Sequence, residues 1–440
     1  MPISDHPLRY PLANELHARP APVVPVPGSA VYLAVKPTSD AAARSRDEDR
    51  AHLAALLDRH GATHPAPEAT HHGTSLGRHG LKWENHTEFT SYTAFSGGLP
   101  ERPFDPSVFD IFPADWLDAA PGARMSSILF HIDRMPMKGR GAAAQPDTQA
   151  MAAAVEDWFE AESLAMAAVL DGAAVVASDF RIDPAGHVRM AVFVHPETGA
   201  RRLGRIIQRL CEIETYKTMS MLGLARARQV SKALGGLDRR LSALIDSMAG
   251  DAPQAEPALA ALIGVSAELE AVEAGASFRF GATRAYEALV HDRIGTLRET
   301  RVGGRQTLAE FMRRRYDPAM RTVRATETRL ATLSTRAMRA SQLLSTQVEV
   351  ARSAQNQALL ESMDRRADLQ LRLQRTVEGL SVVAISYYAV GLAANLVMPL
   401  TQAAGLGRIG TMALITPVVI GLVWVLVHRV RKSLTGRDSA

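Results

Sequence analysis

Two uncharged apolar runs near the C-terminus constrain this chain more than any other feature. Residues 379–407 make 29 consecutive positions without a charged side chain, and residues 409–427 make 19 more. Within the first run, residues 380–399 are twenty in number. Twenty helical residues rise about 30 Å, the thickness of a bilayer's hydrocarbon. The short connection around Pro399 and Arg408 forces an antiparallel helical hairpin. Two consecutive runs of this purity are uncommon in soluble cores, so a transmembrane hairpin is expected over residues 379–428, with the lipid bilayer as its surroundings.

The flanks set its direction. Arg372 and Arg375 precede the first span, and Arg429, Arg431, Lys432 and Arg437 follow the second, while the connection holds only Arg408. The excess of basic residues at both outer ends places them in the cytoplasm. The first seven residues, Met-Pro-Ile-Ser-Asp-His-Pro, contain no apolar run of the kind a signal peptide needs. Residues 1–378 are therefore expected on the cytoplasmic side. The first span carries a polar stripe, Ser381, Tyr388 and Asn395, seven residues apart, with the small Ala384 and Gly391 on the same face. Small and polar residues suit helix contacts in lipid; the sharper alternative is a pore-facing stripe in a homo-oligomer. Neither span holds an acidic or basic residue of the sort that marks ion or proton pathways. Pro417 implies a kink that Thr416 helps to satisfy.

Upstream, Asp317-Pro318 makes a good helix start, and no Gly or further Pro appears before Gly379. The apolar positions Val323, Leu330, Leu333, Ala337, Ala340, Leu344, Ala351, Ala354 and Ala358 follow a 3–4 spacing, so an amphipathic stalk helix is expected. With Ala at many positions and Gln347 at another, it is weak as a coiled coil. Packing against helices of the same chain and self-association both remain open. Residues 301–378 hold 15 Arg, no Lys and 8 Asp or Glu. Without interleaved aromatics for base stacking, that bias reads as a salt-bridged helix near an anionic membrane, and no nucleic acid is expected as a partner.

The remaining sequence reads as an α+β cytoplasmic domain with a partly antiparallel sheet. A hydrophobic fraction of 47% and a net charge of +4 exclude general disorder. The single cysteine, Cys211, excludes an internal disulfide and a Cys-based zinc site. Residues 1–27 form a Pro-punctuated arm, with a helical turn or two from residue 12. Strands are expected at residues 31–35, 82–95, 126–132 and 163–170, with a hairpin at 173–183 and 187–195 and a turn at Asp171-Gly172. Helices are expected at residues 47–60 and, capped by Asp147, as far as Trp158, with a His-, Pro- and Gly-rich loop over 61–80. From residue 201 the period becomes helical: one long helix, then helical character again from 234 to 248. A Pro-containing break at 251–257 precedes a helix pair that ends near Arg298. The expected layout is thus an arm (1–27), an α/β domain (28–197), a helical region (198–300), an Arg-rich stalk (301–378), the hairpin (379–428) and a basic tail (429–440).

Few constellations suggest chemistry. On a single strand, Glu84, His86 and Glu88 would share one face, and two carboxylates with an imidazole suit a divalent metal, although a wet sheet face explains them as well. Asn14 to Pro20 is a polar cluster with Glu15, His17 and Arg19, suited to docking on the body. Asp179, Arg181 and Asp183 would alternate on a strand as a cross-strand ion-pair face. Residues 405–410 match the dinucleotide fingerprint G-x-G-x-x-G, but they follow no strand. Cys211 lies on an apolar helix as a small hydrophobe. No catalytic residue and no bound cofactor is expected from any of these.

Several stretches together resemble a domain-of-unknown-function family of membrane-anchored proteobacterial proteins. They are Asn14 to Pro20, Lys82 to Phe89, Asp179 to Asp183, Glu212 to Tyr216 and, most specifically, Leu369 to Tyr388. The resemblance spans nearly the whole chain. It implies a membrane location and carries over no catalytic residue; the bacterial inner (cytoplasmic) membrane is the expected one. The layout alone is also similar to that of CorA-type magnesium channels, which carry Gly-Met-Asn at the end of the first span. Here residues 394–399 read Ala-Asn-Leu-Val-Met-Pro, so magnesium selectivity is not implied. A non-enzymatic scaffold, sensor or partner-docking protein is the leading expectation, an oligomeric ion channel the alternative, and a membrane-tethered metal-dependent enzyme using Glu84, His86 and Glu88 the third.

Overall fold

The computed structural model describes residues 3–15, 21–38, 44–139, 144–247, 255–403 and 407–435. They divide into two compact units, one of residues 1–252 and 257–341, the other of residues 253–256 and 342–440.

In the first unit, α1 (Arg9–Glu15) and β1 (Gly28–Lys36) lead to α2 (Arg46–Arg59). Three strands follow, β2 (His71–Leu76), β3 (His79–Asn85) and β4 (Thr90–Gly97), then a 3-10 helix (Pro106–Ile111) and α3 (Ala114–Asp118). β5 (Ala123–Arg134), the small pair β6 (Met137–Lys138) and β7 (Gln145–Pro146), and α4 (Thr148–Trp158) come next. β8 (Ala165–Val169), β9 (Ala174–Ser178) and β10 (Val188–Val194) complete the N-terminal half. With β11 (Thr300–Arg301), they build a nine-stranded sheet in the order β11-β8-β9-β10-β5-β1-β4-β3-β2. Only β10 and β5 run parallel; every other neighbouring pair in that sheet is antiparallel.

All nine residues of β1 are buried, because the sheet is covered on both faces. Val31 and Leu33 join a core with Leu53, Leu56, Trp83 and Trp116. On the opposite face Tyr32 meets α5 (Ala200–Ser247), where the Thr215 hydroxyl donates to Tyr32 Oη at 2.8 Å. α4 is capped as expected: Asp147 accepts from the Ala150 N–H at 3.0 Å.

The sheet has more strands than the five or six the sequence suggests. β2 lies inside the expected 61–80 loop; as a polar edge strand whose one buried residue is Leu76, it shows no apolar alternation. The single strand expected over 82–95 is two strands, β3 and β4. The turn between them has neither Gly nor Pro to announce it. It closes where the His86 N–H donates to the Phe89 carbonyl at 2.9 Å. The strand β9 also stops at Ser178, so Asp179, Arg181 and Asp183 lie in a loop rather than alternating along a strand.

The helices are longer and fewer than expected. α5 runs 48 residues straight through Gly235-Gly236, and α6 (Ala255–Leu297) is one helix of 43 residues instead of a pair. A short α7 (Leu308–Arg315), not expected, opens on a capping box of Thr307 and Glu310. It sets Arg313, Arg314 and Arg315 in its last turn, where positive charge complements the carbonyl end of the helix. α8 (Asp317–Ala403) then spans 87 residues. Its first part forms a bundle with α5 and α6. Arg329 pairs with Asp238 at 3.0 Å, Ser334 bonds Glu273 at 3.1 Å, and Arg240 pairs with Glu268 at 2.8 Å. Val323, Leu330, Leu333, Ala337 and Ala340 are buried there, so this part of the stripe is covered by helices of the same chain. Ala351, Ala354 and Ala358 are exposed.

In the second unit α8 continues unbroken into the first apolar run, and α9 (Arg408–Thr435) carries the second. Both helices are long and apolar enough to cross a membrane, and the most apolar window of each is only 11% buried within the chain. Among the described residues of the two apolar runs only Ser386, Ala394, Thr411 and Val423 are buried. Beside Pro417, which has no N–H, Thr416 donates to the Met412 carbonyl at 2.7 Å.

Candidate functional site

A narrow cleft between the sheet and α5 brings together two of the stretches singled out from sequence. Lys82, Glu84, His86 and Phe89 come from β3 and its turn, Glu212, Thr215 and Tyr216 from α5, and Tyr32 from β1. The spacing explains the meeting. Alternate residues of β3 share a face, which turns Lys82 and Glu84 toward α5 and Trp83 toward the opposite core. On α5, Cys211 and Thr215 lie one turn apart, as do Glu212 and Tyr216, and all four line the cleft.

The cleft is polar but mostly paired. Lys82 Nζ lies 3.1 Å from Glu84 Oε2, both side chains nearly buried. Glu212 pairs with Arg293 of α6, and the Gln208 amide donates to Glu212 at 2.9 Å. Burial pushes the Cys211 thiol well above the usual range, which keeps it protonated and a poor nucleophile. Burial also raises the Tyr32 phenol, with Cys211 adding to the effect. The enclosed space is about 20 Å³, room for a single water molecule. As built, the cleft joins sheet to helix and offers no opening for a sizeable substrate.

The turn of residues 86–89 is held from two sides. Arg44 is buried against Asp49 at 2.5 Å and donates to the His86 carbonyl at 2.6 Å and to Asn85 Oδ1 at 3.1 Å. From α6, Arg279 pairs with Glu88 at 2.6 Å. The Tyr286 phenol is raised by burial and then by Glu88, and its ring stacks on Tyr216 with centroids 5.6 Å apart. His86 stacks on Phe89 at 4.2 Å.

Glu84, His86 and Glu88 are therefore not brought together as ligands. The hairpin separates them, because the strand face that would align all three ends at Asn85. Glu84 turns to Lys82, Glu88 to Arg279, and His86 lies on Phe89. Among the described residues no three His, Cys, Asp or Glu side chains form a group suited to a metal ion. Asp179 is buried, accepts the Glu160 and Arg181 N–H groups and faces Arg189 at 3.7 Å. Leu16 to Pro20, with His17 and Arg19, and Gly405-Leu406 of the fingerprint lie outside the described residues, as do residues 436–440 of the basic tail. Ser381, Tyr388 and Asn395 are all exposed, Ser381 donating to the Val377 carbonyl at 2.8 Å. Arg44, Arg279 and Tyr286 were not legible as partners of residues 86–89. Each comes from a distant element, and nothing local in sequence marks it.

Sheet, helical bundle and paired apolar helices define a class: an α+β protein carrying two helices with the length and composition of membrane spans. Over residues 4–434 the sequence matches the family described as "Protein of unknown function (DUF3422)", and the chain belongs to that family. No curated protein and no solved structure matches the chain.

Proposed function

We propose that this chain is an integral protein of a bacterial inner membrane, with both termini and the α+β body in the cytoplasm and a non-enzymatic role as a tethered scaffold or docking body. The observation that carries the reading is the low burial of the apolar windows. Leu380, Val383, Leu396 and Leu400 are each at least 70% exposed, a face that hydrocarbon solvates and water does not. The non-enzymatic part is supported by the cleft between the sheet and α5, which is ion-paired and narrow and whose Cys211 thiol is held protonated. Membrane fractionation tests the tether. Protein that stays with the membrane pellet through alkaline carbonate washing is the expected result; release into the supernatant refutes it. Sidedness is read by a Gly407→Cys variant, since Cys211 is buried: an impermeant maleimide added to intact cells labels it only if the connection faces outward.

A second reading, an oligomeric ion channel, is favoured by one observation. The stripe Ser381, Tyr388 and Asn395 stays exposed in the hairpin and so is free to line an axis between copies. Ion flux into liposomes, lost in Asn395→Leu, would support it; flux equal to empty liposomes would remove it.

A further inference from the structure

The second unit leaves apolar side chains uncovered where a bilayer cannot account for them. Residues 360–378 hold eight charged side chains, too many for hydrocarbon. Yet Leu360, Met363 and Val377 are 60–65% exposed on the same stretch. Their spacing is regular. Leu360, Ala367, Gln374, Ser381, Tyr388 and Asn395 are seven apart, and Met363, Gln370, Val377, Ala384 and Gly391 each follow three residues after one of them. These are the seam positions of a heptad repeat, and none of them is charged. Five of the eight charges sit on the side away from the seam, where Glu361 pairs with Arg365 at 3.5 Å and Asp368 with Arg372 at 3.1 Å along the helix and Arg375 follows, while Asp364, Arg366 and Glu378 flank it. The buried stripe of the bundle, Val323 to Ala340, follows a register shifted by two residues, so the second stripe is a separate surface.

We propose that this face of α8 is a parallel seam between copies of this chain, running without a change of register from the charged stalk into the apolar span. The inference rests on the reading that the runs cross a bilayer, and it names the partner as a second copy. Three observations choose that occupant. The stripe passes from water-facing to lipid-facing sequence at residue 379, and a parallel copy makes the same change at the same height. Among the described residues of the first run the buried ones, Ser386 and Ala394, lie off the seam, and α9 reaches only its flanks, where Val427 lines a crevice with Val377 and Ser381 and Met412 one with Tyr388 and Asn395. The length also suffices: 36 residues rise about 54 Å, and a strip about 10 Å wide on each of two copies buries on the order of 1,100 Å², within reach of specific interfaces. Ala384 and Gly391 would let the backbones approach closely in the span. Keeping a straight stripe over five heptads requires left-handed supercoiling.

Cysteine cross-linking of the full-length protein in native membranes tests it, because Cys211, the one native cysteine, is buried and wild type reports the background. Met363→Cys, Val377→Cys and Ala384→Cys lie on the seam; Arg365→Cys and Arg372→Cys lie off it. Oxidation is expected to give a dimer band at the seam positions at least several-fold stronger than at the others. Equal bands at both sets, or none at the seam, overturn the seam. Bands at residues 363 and 377 without one at 384 overturn its continuity into the span. Carbonate washing of the same membranes separates the underlying reading: retained protein without seam cross-links refutes the seam alone, whereas released protein refutes the span.

Discussion

One nearly buried ion pair carries the strongest residue-scale expectation. Arg279 and Glu88 have side chains 16% and 4% exposed, and α6 contributes one while the β3–β4 turn contributes the other. Removing one member of a buried pair strands the other charge and costs about 3–5 kcal/mol, while removing both is far milder. Arg279→Met is therefore expected to lower the thermal unfolding midpoint sharply, and adding Glu88→Gln to recover most of the loss. A double variant no more stable than the single would show that the pair is not what holds the turn. Histidines give a pH dependence of defined sign. His52, His131 and His187 are all lowered from about 6.5 by burial. His52 bonds the Tyr92 hydroxyl at 3.0 Å and the Trp116 carbonyl at 2.9 Å, a pairing that suits a neutral ring donating from Nε2. A depressed folded value means the unfolded chain binds protons first as pH falls, so the stabilisation is complete above about 6.5 and fades as pH drops below it toward the folded values. Unfolding midpoints measured from pH 7.5 to 5 should fall across that window, and less steeply in His52→Gln. A profile of unchanged slope would remove His52 from the account.

At the scale of elements, one close approach fixes how the N-terminal segment meets α5. A Cβ placed on Gly204 would lie 1.8 Å from the Pro22 carbonyl oxygen, which is backbone and cannot turn aside. Gly204→Ala is expected to push residues 21–24 off the helix, at a cost of about 1–3 kcal/mol, and to speed amide exchange in that segment. Gly235→Ala meets nothing within 4 Å and should be neutral or slightly stabilising in the same helix. The contrast also shows what sequence carries and what it does not. Strands with apolar alternation, the Asp147 cap, the Asp171-Gly172 turn and the long apolar runs are local signals, and they were legible. The turn between β3 and β4 was not, because His86 to Phe89 holds no Gly, Pro, Asn, Asp or Ser and is fixed by Arg44 and Arg279 from far along the chain. That loss cost the candidate metal site its premise, since three residues judged to share one face are split by the turn. α6 read as two helices because nothing in its composition fixes its length; its packing in the bundle does. The cleft itself was half legible: Lys82 to Phe89 and Glu212 to Tyr216 stood out in sequence, but their meeting is a property of the sheet order.

For the whole molecule, the decisive question is which solvent surrounds residues 380–400, and a matched pair of substitutions answers it. Leu392 and Leu369 both lie on α8 and are similarly exposed, at 66% and 60%. Leu392 sits within the apolar run, whereas Leu369 lies among charges. In water the two positions are equivalent, and an exposed Leu→Arg change is worth within about 0.5 kcal/mol at either. In hydrocarbon they differ: arginine near the centre of a span costs about 2.5–3.5 kcal/mol on insertion scales, and leucine's favourable contribution is lost as well. Each 1.4 kcal/mol is a factor of ten in an equilibrium, so a span of marginal apolarity would lose most of its inserted population. The first run has an apolar window with mean hydropathy of 1.8, against 2.3 for the second, and is the more easily disturbed. Leu392→Arg should therefore shift a measurable fraction of the protein out of the carbonate-resistant pellet or into degradation, with Leu369→Arg indistinguishable from wild type. Equal behaviour of the two variants would mean that residue 392 faces water, and the tether would have to be given up together with the orientation derived from it.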